Sequence, residues 1–112
     1  MDYSKMSDAE INWKVAFHIG LRTVEKAESG DFNPCNNPAD AWPIIVGKKL
    51  SIINADDKWL CVPEDEPVNG VTGDAVHMIY SGDGAEHENP LRAAMIVFLM
   101  MQDSANVQDN TA

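Results

Sequence analysis

Asn89-Pro90-Leu91-Arg92-Ala93-Ala94-Met95-Ile96-Val97-Phe98-Leu99-Met100-Met101 is the stretch that decides the fold. Asparagine is a favoured N-cap, and proline suits the first helical position because its missing N–H has no partner to lose there. A helix is therefore predicted from Pro90 to about Asp103. Leu91, Met95, Phe98 and Leu99 cover one side of it, and Ile96, Val97 and Met100 cover others. A helix apolar on every side must be buried on several faces. It is either the central element of the fold or the seam of an oligomer. The apolar run from Ala93 to Met101 falls well short of the ~20 residues that a membrane span requires.

The rest of the chain has to cover that helix. Ser7-Asp8-Ala9-Glu10 is a capping box, with Met6 and Ile11 placed for a hydrophobic staple. A first helix is predicted from Asp8 to Ile19, with Gly20 as its stop. Ile11, Val15 and Ile19 form one apolar stripe, and His18 lies beside it. Trp13 and Phe17 form a second stripe on nearly the opposite side. A surface helix needs only one apolar face, so either the chain wraps over this pair or a second subunit covers it, and an exposed aromatic pair favours an interface. Leu21 to Lys26 reads as a short strand, and Glu28 to Pro34 as a loop. Asn37 and Pro38 then start another helix, which Gly47 ends. Pro43 predicts a kink or a delayed start there, since it removes the bond to the Ala39 carbonyl.

Leu50 to Asn54 and Trp59 to Val62 read as a hairpin joined by Ala55-Asp56-Asp57-Lys58. Pro63 to Gly73 reads as a loop, Ala75 to Tyr80 as a third strand, and Ser81 to Glu88 as a Gly- and acid-rich loop. Short connections between neighbouring strands favour antiparallel pairing. The fold class is thus α+β, with three helices packed on a small, mainly antiparallel sheet of three to four strands. Residues 1–103 form one domain, and the polar segment 104–112 is expected to be a flexible tail.

The chain has 112 residues and is 45% hydrophobic, enough for one cored domain. Its net charge of −10 argues against extended nucleic-acid binding, which needs Lys and Arg along the phosphates. The plain reading of that acidity is solubility; the sharper one is mimicry of a nucleic acid. Two cysteines, Cys35 and Cys61, do not make a disulfide framework and read as buried free thiols. No basic stretch followed by an apolar one opens the chain, so the expected location is cytoplasmic. No metal-ligand spacing, phosphate-cradling glycine motif or nucleophile elbow is present. Catalysis would require Cys35 or Cys61 to meet a histidine in space. The expectation is a protein without enzymatic activity, cofactor or metal.

Two places read as binding sites. The loop Asn33-Pro34-Cys35-Asn36-Asn37 leads into a helix N-terminus, where free N–H groups and the dipole attract anions. Asn33, Asn36, Asn37 and Asp40 offer polar groups to a base or sugar, and Trp42 a stacking face. Plain capping by Asn37 and a core role for Trp42 explain the same residues. The second place is Asn89 with Arg92, a charged bidentate donor at another helix start. A salt bridge from Arg92 to an acidic loop such as Glu86 or Glu88 is the ordinary alternative. Lys48 and Lys49 suit the C-terminal dipole of the preceding helix, and Glu64-Asp65-Glu66 reads as a solvated loop.

Asn33 to Ile45 and Asn89 to Met101 resemble the two signature segments of the NinX family of bacteriophage proteins, and Asp2-Tyr3-Ser4-Lys5-Met6-Ser7-Asp8 resembles that family's start. Together these cover about a third of the chain; from Leu50 to Glu88 the likeness is only one of general character. The resemblance implies a small accessory protein of temperate phages or prophages, built of sandwiched helices and sheet. It carries over no catalytic residue. The resulting expectation is a homo-oligomer in the bacterial cytoplasm that interferes with a host process by sequestering a small, nucleotide-like ligand at helix N-termini. The alternative is an acidic, nucleic-acid-mimicking inhibitor of a host protein.

Overall fold

The structure, a computed structural model, describes residues 2–63, 71–72, 75–76 and 84–110. A 3-10 turn, Tyr3–Lys5, precedes helix α1, Asp8–Ile19. Ser7 caps α1 as the capping box predicts, its Oγ accepting from the Glu10 N–H at 3.1 Å. Ile11 and Val15 on this helix are fully buried.

The chain then makes a second helix, α2, Leu21–Ser29, where a strand was expected. Gly20 separates the two helices. Its φ of 152° breaks the helical path in a region that side chains rarely enter. Thr23 and Val24 are β-branched and suit a strand. Leu21, Arg22, Glu25, Lys26 and Ala27 are good helix formers, and they prevail. Val24 and Ala27 face the core, while Leu21 is 84% exposed.

Helix α3, Pro38–Gly47, begins where the sequence places it, with the Asn37 side chain accepting from the Ala39 N–H at 3.0 Å. The delayed start foreseen near Pro43 does not occur. Pro43 lies inside the helix on its exposed side, as does Ala39, whose carbonyl it cannot serve.

Strands β1, Ser51–Ala55, and β2, Lys58–Val62, form the predicted antiparallel hairpin, in register from Ser51 opposite Val62 to Ala55 opposite Lys58. Asp56 turns it with a φ of 63°, held by the Asn54 Oδ1, which accepts its N–H at 2.9 Å. A separate two-stranded ribbon pairs β3, Val71–Thr72, with β4, Ala75–Val76. The strand predicted over Ala75–Tyr80 is thus found for Ala75–Val76, outside the main sheet; residues 77–80 lie outside the described residues, as does Glu64-Asp65-Glu66. The third strand of the main sheet is β5, Ala85–His87, from a segment that its glycines and acids mark as loop. Gly84 admits it. A Cβ there would stand 2.9 Å from the Cys61 carbonyl oxygen, so only glycine lets this segment close onto β2. The sheet order is β1-β2-β5.

Helix α4, Pro90–Asn110, runs past the expected end at Asp103. It is the centre of the fold. Ala93, Ala94, Met95 and Val97 are fully buried, and the helix packs against α1, α3, β2 and β5. Its unusual apolarity on every side is thereby satisfied within one chain. The architecture is α+β, with four helices where the sequence suggests three. Among the described residues, no helix is long and apolar enough to cross a membrane.

Candidate functional site

The folded chain brings the N-termini of α1 and α4 and the loop before α3 to one place. Arg92, on the first turn of α4, is only 6% exposed. Its Nη1 donates to Asp8 Oδ1 at 2.5 Å. Its Nη2 donates to the Met6 carbonyl at 2.5 Å and to the Ser4 carbonyl at 3.3 Å. Only its Nε lacks a partner among the described residues. Asp8 is thus the acidic partner that the sequence reading sought in the loop before α4.

Asn89 is used to the full. Its Oδ1 caps α4, accepting from the Leu91 N–H at 3.0 Å and the Arg92 N–H at 3.4 Å. Its Nδ2 donates to the Cys35 carbonyl at 2.6 Å and to Asn36 Oδ1 at 3.3 Å. Asn36 Nδ2 in turn donates to Asp8 Oδ2 and Asn33 Oδ1. Buried Asn12 ties the loop to α1, donating to Asn33 Oδ1 at 2.8 Å and accepting from the Cys35 N–H at 3.1 Å. Asp40 accepts from the Asn33 N–H at 2.9 Å. The hydrogen bond from Asn36, then the Arg92 guanidinium, hold the Asp8 carboxyl below its ordinary range, against the opposing effect of burial.

Asn33, Asn36, Asp40, Asn89 and Arg92 therefore converge, but on one another. Most of their polar atoms are bonded within the chain. Asn37 serves as a cap. Trp42 stands apart, 63% exposed on α3.

The open space lies elsewhere. A recess of about 250 Å³ runs along α1, lined by Trp13, Lys14, Phe17 and His18, with Tyr3, Leu99 and Asp103 opposite. Trp13 and Phe17 stack at 5.7 Å between ring centres, and Phe17 is 63% exposed. A second recess of about 330 Å³ is lined by His18, Ile19, Pro43, Ile44, Lys48 and Phe98, among others. His18 is common to both and meets the Phe98 ring edge-on at 6.0 Å. The first recess lies between α1 and the α4 side chains Leu99 and Asp103, and the second between the end of α1, α3 and Phe98 of α4. In the first recess the Tyr3 hydroxyl donates to Asp103, and burial with that carboxylate pushes the phenol up to about 12.

Sequence reasoning identifies Trp13 and Phe17 but misses Asp8, Asn12, Lys14, His18 and Lys48. Asn12 carries a usable signal: it falls on the same helical face as Ile11 and Val15, where a polar side chain needs buried partners. Lys14 and Lys48 come to line these recesses only through the packing of α1 and of α3 on α4, which no local pattern states.

Burial pushes both thiols, Cys35 and Cys61, up to about 12. They stay protonated near neutral pH, in a form that is a poor nucleophile. Among the described residues, no hydrogen bond joins a cysteine to a histidine, and no group of His, Cys, Asp and Glu is arranged to hold a metal ion.

Compared with known families, residues 2–102 match the family model described as Bacteriophage P22, NinX. Comparison with curated proteins and with solved structures finds no match.

Proposed function

The chain belongs to the Bacteriophage P22 NinX family and so is a phage accessory protein, and we propose that it interferes with a host process by binding rather than by catalysis. The observation that carries this reading is the exposed Trp13–Phe17 stack on the rim of the recess between α1 and α4. Exposed aromatic pairs beside a recess mark contact surfaces, because burying them on binding releases a large apolar area. Ile19, 48% exposed, lines the second recess. The binding event takes place in the cytoplasm of the bacterial host cell.

A second reading keeps a small nucleotide-like ligand but moves it. At the helix N-termini such a ligand would have to displace the bonds that Asn36, Asn89 and Arg92 already make. In the α1 recess, a planar ring could lie on Trp13 or Phe17 while Lys14 meets a negative group. Mimicry of a nucleic acid rests on the net charge alone and gains no geometric feature.

Affinity capture from host lysate, with the wild type and Phe17→Glu side by side, tests the reading. Both retained polypeptides and heat-released small molecules are identified by mass spectrometry. The expected result is a component held by the wild type and lost by the variant. Identical recoveries from both would overturn it.

A further inference from the structure

We infer that the outer edge of β1 pairs antiparallel with the same edge of a second copy of this chain, joining two three-stranded sheets into one. In the order β1-β2-β5, β1 stands at an edge and pairs only with β2 among the described residues. Sheet edges are usually guarded by charges, a proline or a bulge. Ser51-Ile52-Ile53-Asn54-Ala55 has no charge and no proline, and its register with β2 runs without a bulge. The two-residue turn makes Ala55 and Lys58 a hydrogen-bonded pair. Pairs alternate along the ladder, so Ile53 and Ser51 also bond to β2, while the N–H and C=O groups of Ile52 and Asn54 point outward. Those outward groups have no hydrogen bond among the described residues.

The flanking charges choose the partner. Lys48 and Lys49 precede β1 at the end of α3, and Asp56 and Asp57 follow it at the hairpin tip. Lys48, Asp56 and Asp57 are exposed, and none of their side chains has a partner among the described residues. Antiparallel self-pairing sets the lysine end of each copy beside the aspartate tip of the other. Parallel pairing would set like against like. Lys58, next after the tip, reduces its negative charge without reversing it.

A two-fold axis normal to the sheet requires one residue to face its own counterpart. Centred on Ile53, it places Ile52 opposite the partner's Asn54 and satisfies the outward groups of both strands. It also brings the two half-buried Ile53 side chains together. Centred on Ile52, it would need the Leu50 N–H, which already donates to the Ile45 carbonyl at 3.0 Å. The net charge of −10 on each chain opposes association, so the pairing is weak and concentration-dependent.

The test follows full-length protein by sedimentation from micromolar to millimolar concentration, and by amide NMR over the same range. The expected result is a monomer–dimer equilibrium in which the Ile52 and Asn54 amides shift and gain protection from exchange in the dimer. Asp57→Lys and Lys48→Glu are made separately at these exposed positions and checked for native folding by circular dichroism. Each alone should weaken self-association roughly tenfold, since the contact occurs twice in the dimer. Mixed, the two variants should associate more tightly than either does with itself, because the lysine end of Asp57→Lys then meets the aspartate tip of Lys48→Glu. A wild type that stays monomeric at millimolar concentration would overturn the inference. So would a dimer whose Ile52 and Asn54 amides do not change, or a mixture that binds no more tightly than its components. None of these measurements bears on the Trp13–Phe17 surface, which lies on α1.

Discussion

The Arg92 guanidinium on α4 meets the Asp8 carboxylate at the start of α1 at 2.5 Å, across 84 residues of chain. The same guanidinium holds the carbonyls of Ser4 and Met6. One buried cation thus fixes the N-terminal turn and the entry of α1 onto the central helix. It acts as a structural clasp in place of the anion site that its position at a helix start suggests.

Removing either partner should show the clasp in stability. Arg92→Met is expected to cost roughly 3 kcal/mol, as for a broken buried pair. Asp8→Asn should cost less, about 1–2 kcal/mol, because the Asp8 carboxylate is partly in water and an amide can still accept from Arg92. The acid limb provides a second readout. The folded Asp8 carboxyl titrates below its ordinary value of 3.8. Its contribution is therefore present above that value and lost as pH falls through the lower folded one. Urea unfolding below about pH 4 should destabilise the wild type more steeply than Asp8→Asn. Parallel acid limbs would contradict the assignment.

Asn89 does two separable jobs. Asn89→Ala removes the cap of α4 and the donation to the Cys35 carbonyl together, at an expected cost of about 2–3 kcal/mol. Asn89→Asp keeps an acceptor for the cap but sets a carboxylate against the Cys35 carbonyl. Thermal melts should rank Asn89→Asp below the wild type, despite its intact capping ability. Equal melting temperatures for wild type and Asn89→Asp would show that the link to Cys35 contributes nothing.

Gly84→Ala tests the closure of β5 on β2. The added Cβ would sit 2.9 Å from the Cys61 oxygen and 3.0 Å from Val62 Cγ1. Backbone and a buried wall cannot both yield, so a loss of about 1–3 kcal/mol is expected by chemical denaturation.

The thiols should be inert while the protein is folded. With Cys35 and Cys61 pushed up to about 12 by burial, iodoacetamide near pH 8 should modify neither until denaturant is added. Mass spectrometry reads the adducts, and rapid labelling of the native protein would contradict the account and reopen a catalytic role.

Much of this was legible in the chain. The capping box at Ser7, the Asn-Pro starts at Asn37 and Asn89, and the all-round apolarity of α4 each express a local rule that tertiary packing does not contradict. Leu21–Lys26 misleads because over so short a window its two β-branched residues, Thr23 and Val24, obscure its four helix formers. Ala85–His87 is hidden because an edge strand of three residues has no periodicity to show, and its evidence is the close approach at Gly84. The site follows the same division. Residue types at helix starts are visible, so Asn36, Asn89 and Arg92 stand out as binding groups. Whether their bonds are spent internally depends on Asp8 and Cys35, which are distant in sequence. The recesses depend on the packing of α1 and of α3 on α4 and have no sequence signature beyond Trp13 and Phe17.

Phe17→Ser should leave stability within about 0.5 kcal/mol, since the ring is largely in solvent, while abolishing partner retention. A large loss of stability would show that the ring belongs to the core instead.

Photocrosslinking in living host cells tests the recess beside Trp13 and Phe17 most directly. Benzoylphenylalanine is introduced in place of Phe17 in one strain and of Asn36 in another, and adducts are resolved after irradiation. The account predicts a discrete adduct from position 17 and none from position 36. An adduct at position 36 with none at position 17 would contradict it, and would return the functional surface to the helix N-termini.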